Sequence, residues 1–188
     1  MFTRPIDTHL DLAFLHPTHA RELFKLFKSN HRHLSNWLVW PSKCRELADF
    51  ERFVHSALID YAQGAATHCA IRQHGDIIGC IALSAVKDDL KKADLSYWIS
   101  KEFQGQGIMS KVCLDFLQLG FEQYNLEKIE ASVATQNIRS RKIHEKLGFE
   151  LEGILKRAAT VNDTVVDHAR YGLLYGDYRR LIQRLHTL

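Results

Sequence analysis

Apolar and polar positions follow two different periods along this chain. In the first third the apolar residues recur at three and four, the period of a helix face. Leu23, Phe24, Leu26 and Phe27 supply such a stripe, which predicts a helix from a Thr18 cap through residue 28. Phe50, Phe53, Val54, Ala57, Leu58 and Tyr61 supply another, which predicts a helix over 46–63. A short strand over 10–15 comes first, ended by His16-Pro17, and 31–40 reads as a short helical or looped stretch that stops at Pro41.

Beyond these helices the period changes to two. Strands are expected over 67–72 and 77–83, joined by the turn His74-Gly75-Asp76, and over 93–99 and 129–134. Helical spacing returns over 107–124 and 138–147, the second helix ended by Gly148. A final hairpin pairs 149–159 with 164–175 across Asn162-Asp163, and a terminal helix covers 176–185. Strand, helices, strand meander, helix, strand, helix, strand pair is the order of an α/β or α+β layer fold with a mixed sheet.

The chain has 188 residues, a length that suits one domain over 1–188, and no linker or repeat interrupts it. With 46% hydrophobic and 25% charged residues the composition is that of a globular protein. A formal charge of +3 argues against a dedicated nucleic-acid surface. Cys44, Cys69, Cys80 and Cys113 form no C-x-x-C pair and fall in apolar or helical runs, so reduced thiols are expected. His31 and His33 have no Cys or acidic partner at metal spacing, so no metal is expected. No apolar run approaches the ~20 residues of a membrane span, and the first residues lack an apolar signal region. A cytoplasmic protein with no membrane partner is the expectation.

The chemistry concentrates in Gln104-Gly105-Gln106-Gly107-Ile108-Met109-Ser110, between the 93–99 strand and the 107–124 helix. Glycines let the backbone approach an anion, and a helix N-terminus offers unpaired N–H groups and the positive end of its dipole. No Gly-Lys-Ser/Thr closes the run, and Ser110 stands where a dinucleotide fingerprint has its third glycine. On the residues alone, a cradle for a phosphate-bearing ligand and a tight strand-to-helix turn both stay open.

In this context the chain resembles the GNAT acetyltransferase superfamily, whose acetyl-coenzyme A motif is Gln/Arg-x-x-Gly-x-Gly/Ala. Met109 departs from the small residue at its last position. The run Phe103 to Ser110 is similar to the RimJ/RimL-type ribosomal-protein-serine N-acetyltransferases. So are the segment from His33 through Trp37 and Trp40 to Pro41, Asn137-x-x-Ser140, the run Lys146 to Gly153, and Asp167-His168. The resemblance covers most of the chain. It implies a mixed, mostly antiparallel central sheet of about seven strands flanked by helices. It also implies transfer of acetyl from acetyl-coenzyme A to a primary amine. The suggested acceptor is a protein N-terminal Ser or Ala, as in ribosomal-protein acetylation. The runner-up is a small amine such as a polyamine, an amino acid or an aminoglycoside, and a homodimer is a family-weighted expectation.

The resemblance also assigns roles. Gln104, Gly105, Gln106, Gly107, Ile108, Met109 and Ser110 would hold the pyrophosphate, and the backbone of Trp98 and Ile99 would pair with the pantetheine arm. Asn137 would contact that arm while capping the helix that follows. Ser140 ranks first as proton donor to the departing thiolate, with His144 second. Asp94 and, second, Glu130 are the candidates for taking the amine proton. Each of these carries a plain structural alternative: a helix-start residue for Ser140, a solvated or ion-paired strand residue for the acids. Arg139, Arg141 and Lys142 are candidates for the adenosine 3′-phosphate, and Trp37 and Trp40 for the acceptor entrance. Relatives often carry a carboxylate in the final hairpin where this chain reads Lys156-Arg157-Ala158-Ala159-Thr160. That departure keeps a second class open, a module that binds acyl-coenzyme A without turnover.

Overall fold

The computed structural model describes residues 3–187. The strands are β1 (Thr3–Pro5), β2 (Leu10–Phe14), β3 (Thr67–Gln73), β4 (Asp76–Lys87), β5 (Lys92–Ile99), β6 (Lys128–Ala134), β7 (Glu150–Val161) and β8 (Thr164–Leu174). The helices are α1 (His19–Leu34), α2 (Leu47–Ala62), α3 (Ile108–Gln118), α4 (Ile138–Lys146) and α5 (Tyr175–His186). All eight strands join one sheet in the order β1-β2-β3-β4-β5-β6-β8-β7. Every neighbouring pair is antiparallel except β5 and β6, which run parallel.

The two faces of the sheet bury separate cores. Leu23, Phe27, Phe50 and Val54 of α1 and α2 pack with Ala70 and Cys80 on one face. Val112, Phe116 and Leu117 of α3 and Tyr178 of α5 pack with Ile71, Ile81, Leu95 and Ile129 on the other. This is the period-two alternation of the strands at work: neighbouring residues of one strand serve opposite layers. Both tight hairpins are two-residue turns with positive φ at each position, His74 (53°) and Gly75 (91°), then Asn162 (45°) and Asp163 (60°). Such turns match the twist of the strands they join.

The structure departs from the sequence reading in four places. The sheet has eight strands rather than about seven, because Thr3–Pro5 pairs with β2 at the edge, in a piece too short to show a period. The first helix runs on to Leu34 instead of ending at residue 28. The reason is long-range: Asn30, buried in α1, accepts hydrogen bonds from the Ser100 hydroxyl and the Lys101 N–H at the end of β5. Pro41 lies inside a 3₁₀ turn (Trp40–Lys43), at the helix start where a missing N–H costs nothing, rather than stopping the stretch before it. The helix expected over 107–124 is α only to Gln118 and closes as a π turn over Leu119–Gln123. There Gly120 lies against the sheet so closely that a Cβ would sit 2.8 Å from Ile129 Cδ1.

Candidate active site

The strand-to-helix turn has the geometry its glycines predict. After β5 a 3₁₀ turn (Lys101–Phe103) leads to Gly105 and Gly107, with φ of 75° and 77°, and Gly107 is the N-cap of α3. A Cβ at either glycine would meet nothing within 4 Å, so the main chain faces open space. No side chain caps α3. The N–H groups of its first turn, Ile108 to Ser110, therefore have no intrahelical partner and point out of the turn.

These groups line a cleft of about 890 Å³. Trp98, Ile99, Gln104, Gly105, Gly107, Ile108, Met109 and Ser110 form one wall, and Asn137, Arg139, Ser140 and Lys142 of α4 and its cap form the other. Trp37, after α1, also lines it. Gln106 is not part of the lining; its Nε2 turns back to donate to the Glu102 carbonyl at 2.8 Å. Gln104 spans the cleft mouth: Nε2 donates to His33 Nε2 at 2.7 Å, and Oε1 accepts from Arg139 Nη1 at 3.2 Å. Burial lowers the His33 pKa, and Lys101 and Arg139 lower it further. Arg141 faces away, bound to the Tyr171 hydroxyl and the Thr135 carbonyl.

The cleft reaches the sheet where two parallel strands part. The β5–β6 register holds Lys92, Ala93 and Asp94 against Lys128, Ile129 and Glu130 and ends there. Beyond it β5 continues to Ile99 paired with β4, while β6 continues to Ala134 paired with β8. The β6-facing edge of β5 between Leu95 and Ile99 thus offers main-chain donors and acceptors with no strand against them.

Asn137 caps α4, its Oδ1 accepting the Ser140 N–H at 3.2 Å, which fixes Ser140 at the cleft wall. The Ser140 hydroxyl lies 2.9 Å from the Tyr97 hydroxyl. Burial pushes the Tyr97 phenol far up, so it stays protonated. Tyr97 is absent from the sequence-based candidates. Strand alternation was the available signal: it places Tyr97 on the α3 side, opposite Asp94, Ser96 and Trp98. His144, 1% exposed, lies outside the cleft lining. Its ring stacks between Tyr97 and Tyr171 with centroids 5.6 and 5.7 Å away. Its Nδ1 donates to the Ser140 carbonyl at 2.9 Å, leaving Nε2 buried without a partner. Burial lowers its pKa to about 4, so the ring is neutral.

The two candidate acids sit side by side on the α1–α2 face, at the last paired position of β5 and β6. Arg170 of β8 joins them, with Nη2 2.8 Å from Asp94 Oδ1 and 2.5 Å from Glu130 Oε2. Glu130 also takes Lys92 and Lys128, each at 2.8 Å. Burial alone would raise the Glu130 carboxyl, but hydrogen bonds from Lys128, Lys92 and Arg170 outweigh it and hold the pKa at about 2. Asp94 is more open, with its side chain 38% exposed.

A second cavity of about 400 Å³ lies on the α1–α2 side of β5. Trp40, Phe50, Phe53, Ala82 and Trp98 give it apolar walls, and Tyr97, Trp98 and Leu38 line both cavities. Trp40 therefore belongs to this pocket and Trp37 to the cleft.

A glycine-turned helix N-terminus beside an opened parallel strand pair fits a ligand with both phosphates and amides. Residues 9–150 match the family model described as the acetyltransferase (GNAT) domain. The chain belongs to the GNAT acetyltransferase family. Its sequence is 29% identical over 175 residues to the Bacillus subtilis (strain 168) protein named "Putative ribosomal N-acetyltransferase YdaF", covering 93% of this chain and 96% of the relative. It is 26% identical to the ribosomal-protein-serine acetyltransferase of Escherichia coli (strain K12), covering 88% and 92%. The fold is shared with RimL, a ribosomal L7/L12 α-N-protein acetyltransferase solved in complex with coenzyme A. The TM-score is 0.89 at 24% identity, over 92% of this chain and 98% of that one. As a GNAT protein this chain is an acyl-coenzyme A-dependent N-acetyltransferase, with acetyl-coenzyme A as its acetyl donor. Among the described residues no cluster of His, Cys, Asp and Glu is placed to hold a metal ion.

Proposed function

We propose that this GNAT enzyme acetylates the α-amine of a protein N-terminus, the acceptor class of its ribosomal-protein-serine relative. The observation that carries the reading is the meeting of the two cavities at Tyr97 and Trp98: a donor cleft on one side of β5 and an acceptor pocket on the other.

Bound acetyl-coenzyme A supplies a thioester whose acetyl carbon the neutral amine attacks. The first-turn N–H groups of α3 and the two glycines take the pyrophosphate, with Lys101, Arg139 and Lys142 as nearby cations. The free β5 edge at Trp98 and Ile99 aligns the pantetheine amides, and its donors polarise the thioester carbonyl. The Gln104 bridge from His33 to Arg139 must loosen to admit the donor. The Ser140 hydroxyl, paired with Tyr97, protonates the departing thiolate; His144, neutral and outside the cleft, orients the Ser140 main chain instead. Asp94, which lines neither cavity and pairs with Arg170 but is 38% exposed two residues from Ser96, takes the amine proton through bridging water, whereas Glu130 is locked among three cations. Two cavities that meet at Tyr97 and Trp98, with the Ser140 hydroxyl at the wall of one, support turnover over a module that only binds.

We also assign the enzyme to the cytoplasm, in keeping with its four unpaired cysteines, three of them buried. The reading is tested by incubating it with acetyl-coenzyme A and peptides with free N-termini: thiol release must accompany mass gain of one acetyl group at the α-amine. Acetylation confined to lysine side chains or polyamines would replace it.

A further inference from the structure

We propose that the acceptor amine is borne by a residue with a large apolar side chain, which fills the cavity between Trp40, Phe50, Phe53, Ala82 and Trp98. The inference rests on the acetyl-transfer reading and names the acceptor class more narrowly.

The cavity's position fixes what it can hold. Trp98 and Tyr97 are shared with the donor cleft, so a group seated here is attached to, or next to, the atom that receives the acetyl group. Its volume, about 400 Å³, lies within the ~300–1,000 Å³ of pockets that bury organic ligands. Its floor is the row His68–Ala82–Ser96 across β3, β4 and β5, and Ala82 leaves the middle of that floor hollow. The aromatic walls pack on one another: Trp40 lies against Phe27, Phe50 and Trp98 with ring centroids 5.3 to 6.1 Å apart. Aromatic walls present apolar surface whose burial is the main available driving force.

The polar groups at its rim are committed or neutral. The Asp49 carboxylate caps α2, accepting the N–H groups of Arg45 and Glu46 at 2.6 and 2.9 Å, and pairs with Arg52. Burial lowers the His68 pKa, and its ring stands edge-on to Phe53 with centroids 5.5 Å apart. Burial raises the Cys44 thiol and, further, the Cys80 thiol, which keeps both uncharged. A polyamine or aminoglycoside would bring a second ammonium into this space, where the one lining carboxylate, Asp49, is already committed, at the cost of desolvating a charge. A serine or alanine side chain would leave most of the cavity unfilled. Leucine, methionine or phenylalanine at the acceptor position uses it.

The test is a panel of peptides identical except for the first residue, Phe, Leu, Met, Ala or Ser, with spermidine alongside, read as kcat/KM for thiol release. Burying such a side chain predicts about 10- to 100-fold preference for Phe, Leu or Met over Ser. Ala82→Leu fills the floor and should collapse that preference while acetyl-coenzyme A affinity, read by calorimetry, is unchanged. If Ala82→Leu does not fold, Phe53→Ala opens the outer wall and should lower the preference by removing apolar contact. Equal or faster turnover of the Ser peptide or of spermidine overturns the inference, as does an undiminished preference in the folded variants. Absence of turnover with every amine, with acetyl-coenzyme A still bound, would overturn the acetyl-transfer reading and the inference with it.

Discussion

The cleft that we assign to the donor takes its anion-binding N–H groups from one local run of main chain, whereas the pocket behind Trp98 is walled by side chains from distant elements. Gly105, Gly107 and the first turn of α3 present backbone N–H groups from one run of seven residues, Gln104 to Ser110. The pocket draws Trp40 from a 3₁₀ turn, Phe50 and Phe53 from α2, Ala82 from β4 and Trp98 from β5. A main-chain site tolerates little change in conformation but recognises a chemical group common to a family. A side-chain site can be reshaped residue by residue. One scaffold can therefore keep one donor and change its acceptor.

The largest effect expected from breaking that contrast is at the donor side. Gly107→Glu should weaken acetyl-coenzyme A binding by more than ~100-fold, as unpaired charge juxtaposition costs several kcal/mol, with circular dichroism unchanged. A Cβ there meets nothing, so the loss would come from the carboxylate facing the phosphates and from the left-handed φ of 77°, not from a clash. Retained binding would move the donor elsewhere.

Ser140→Ala comes next. It should lower kcat by roughly 10²- to 10⁴-fold, the range of a positioned proton donor, while the KM for acetyl-coenzyme A stays close to the original. Tyr97→Phe should show the same kcat-only signature at smaller size. Equal loss of kcat/KM through KM alone would make Ser140 a helix-start residue and nothing more. Asp94→Asn should remove the acidic limb of the pH–rate profile at a cost near ~10²-fold, the low end for a general base acting through water. Glu130→Gln sharpens the distinction between the neighbours. It should destabilise by about 3 kcal/mol, because three cations lose a buried partner, while the shape of the pH–rate profile is kept.

The smallest effect is on stability and is set by His144. The folded protein keeps this ring neutral down to about pH 4, while the unfolded chain takes up its proton near 6.5. The unfolded state then binds more protons between those values, so stability falls as the pH drops from about 6.5 to about 4. By linkage the His144 share is at most roughly 3 kcal/mol. Denaturant titrations of His144→Phe should show a flatter decline over that window than the parent, with the stack on Tyr97 and Tyr171 preserved. An identical slope would mean that His144 is not held neutral.

The contrast between the two cavities also decides how much of each could be read from the sequence. The turn at 104–110, the Asn137 cap and both type I′ hairpins are local, and their residue types announce them. The apolar pocket is not local: nothing in Phe53 or Ala82 says that α2 will stand over β4. The same holds for Asn30, whose oxygen extends α1 by serving Ser100 and Lys101 some 70 positions away. Glu130 is a case of residue type misleading about role. A carboxylate beside Asp94 looked equivalent to it, but Lys92 and Lys128 pair with Glu130 alone while Arg170 bridges the two.

The most direct measurement of the central claim is paired: thiol release from acetyl-coenzyme A and the site of the acetyl group on a peptide with a free N-terminus and an internal lysine. The account predicts equimolar thiol and acetyl on the α-amine, none on the same peptide with a blocked N-terminus, and neither with Gly107→Glu. Acetyl on the lysine side chain, or transfer that survives Gly107→Glu, would contradict it.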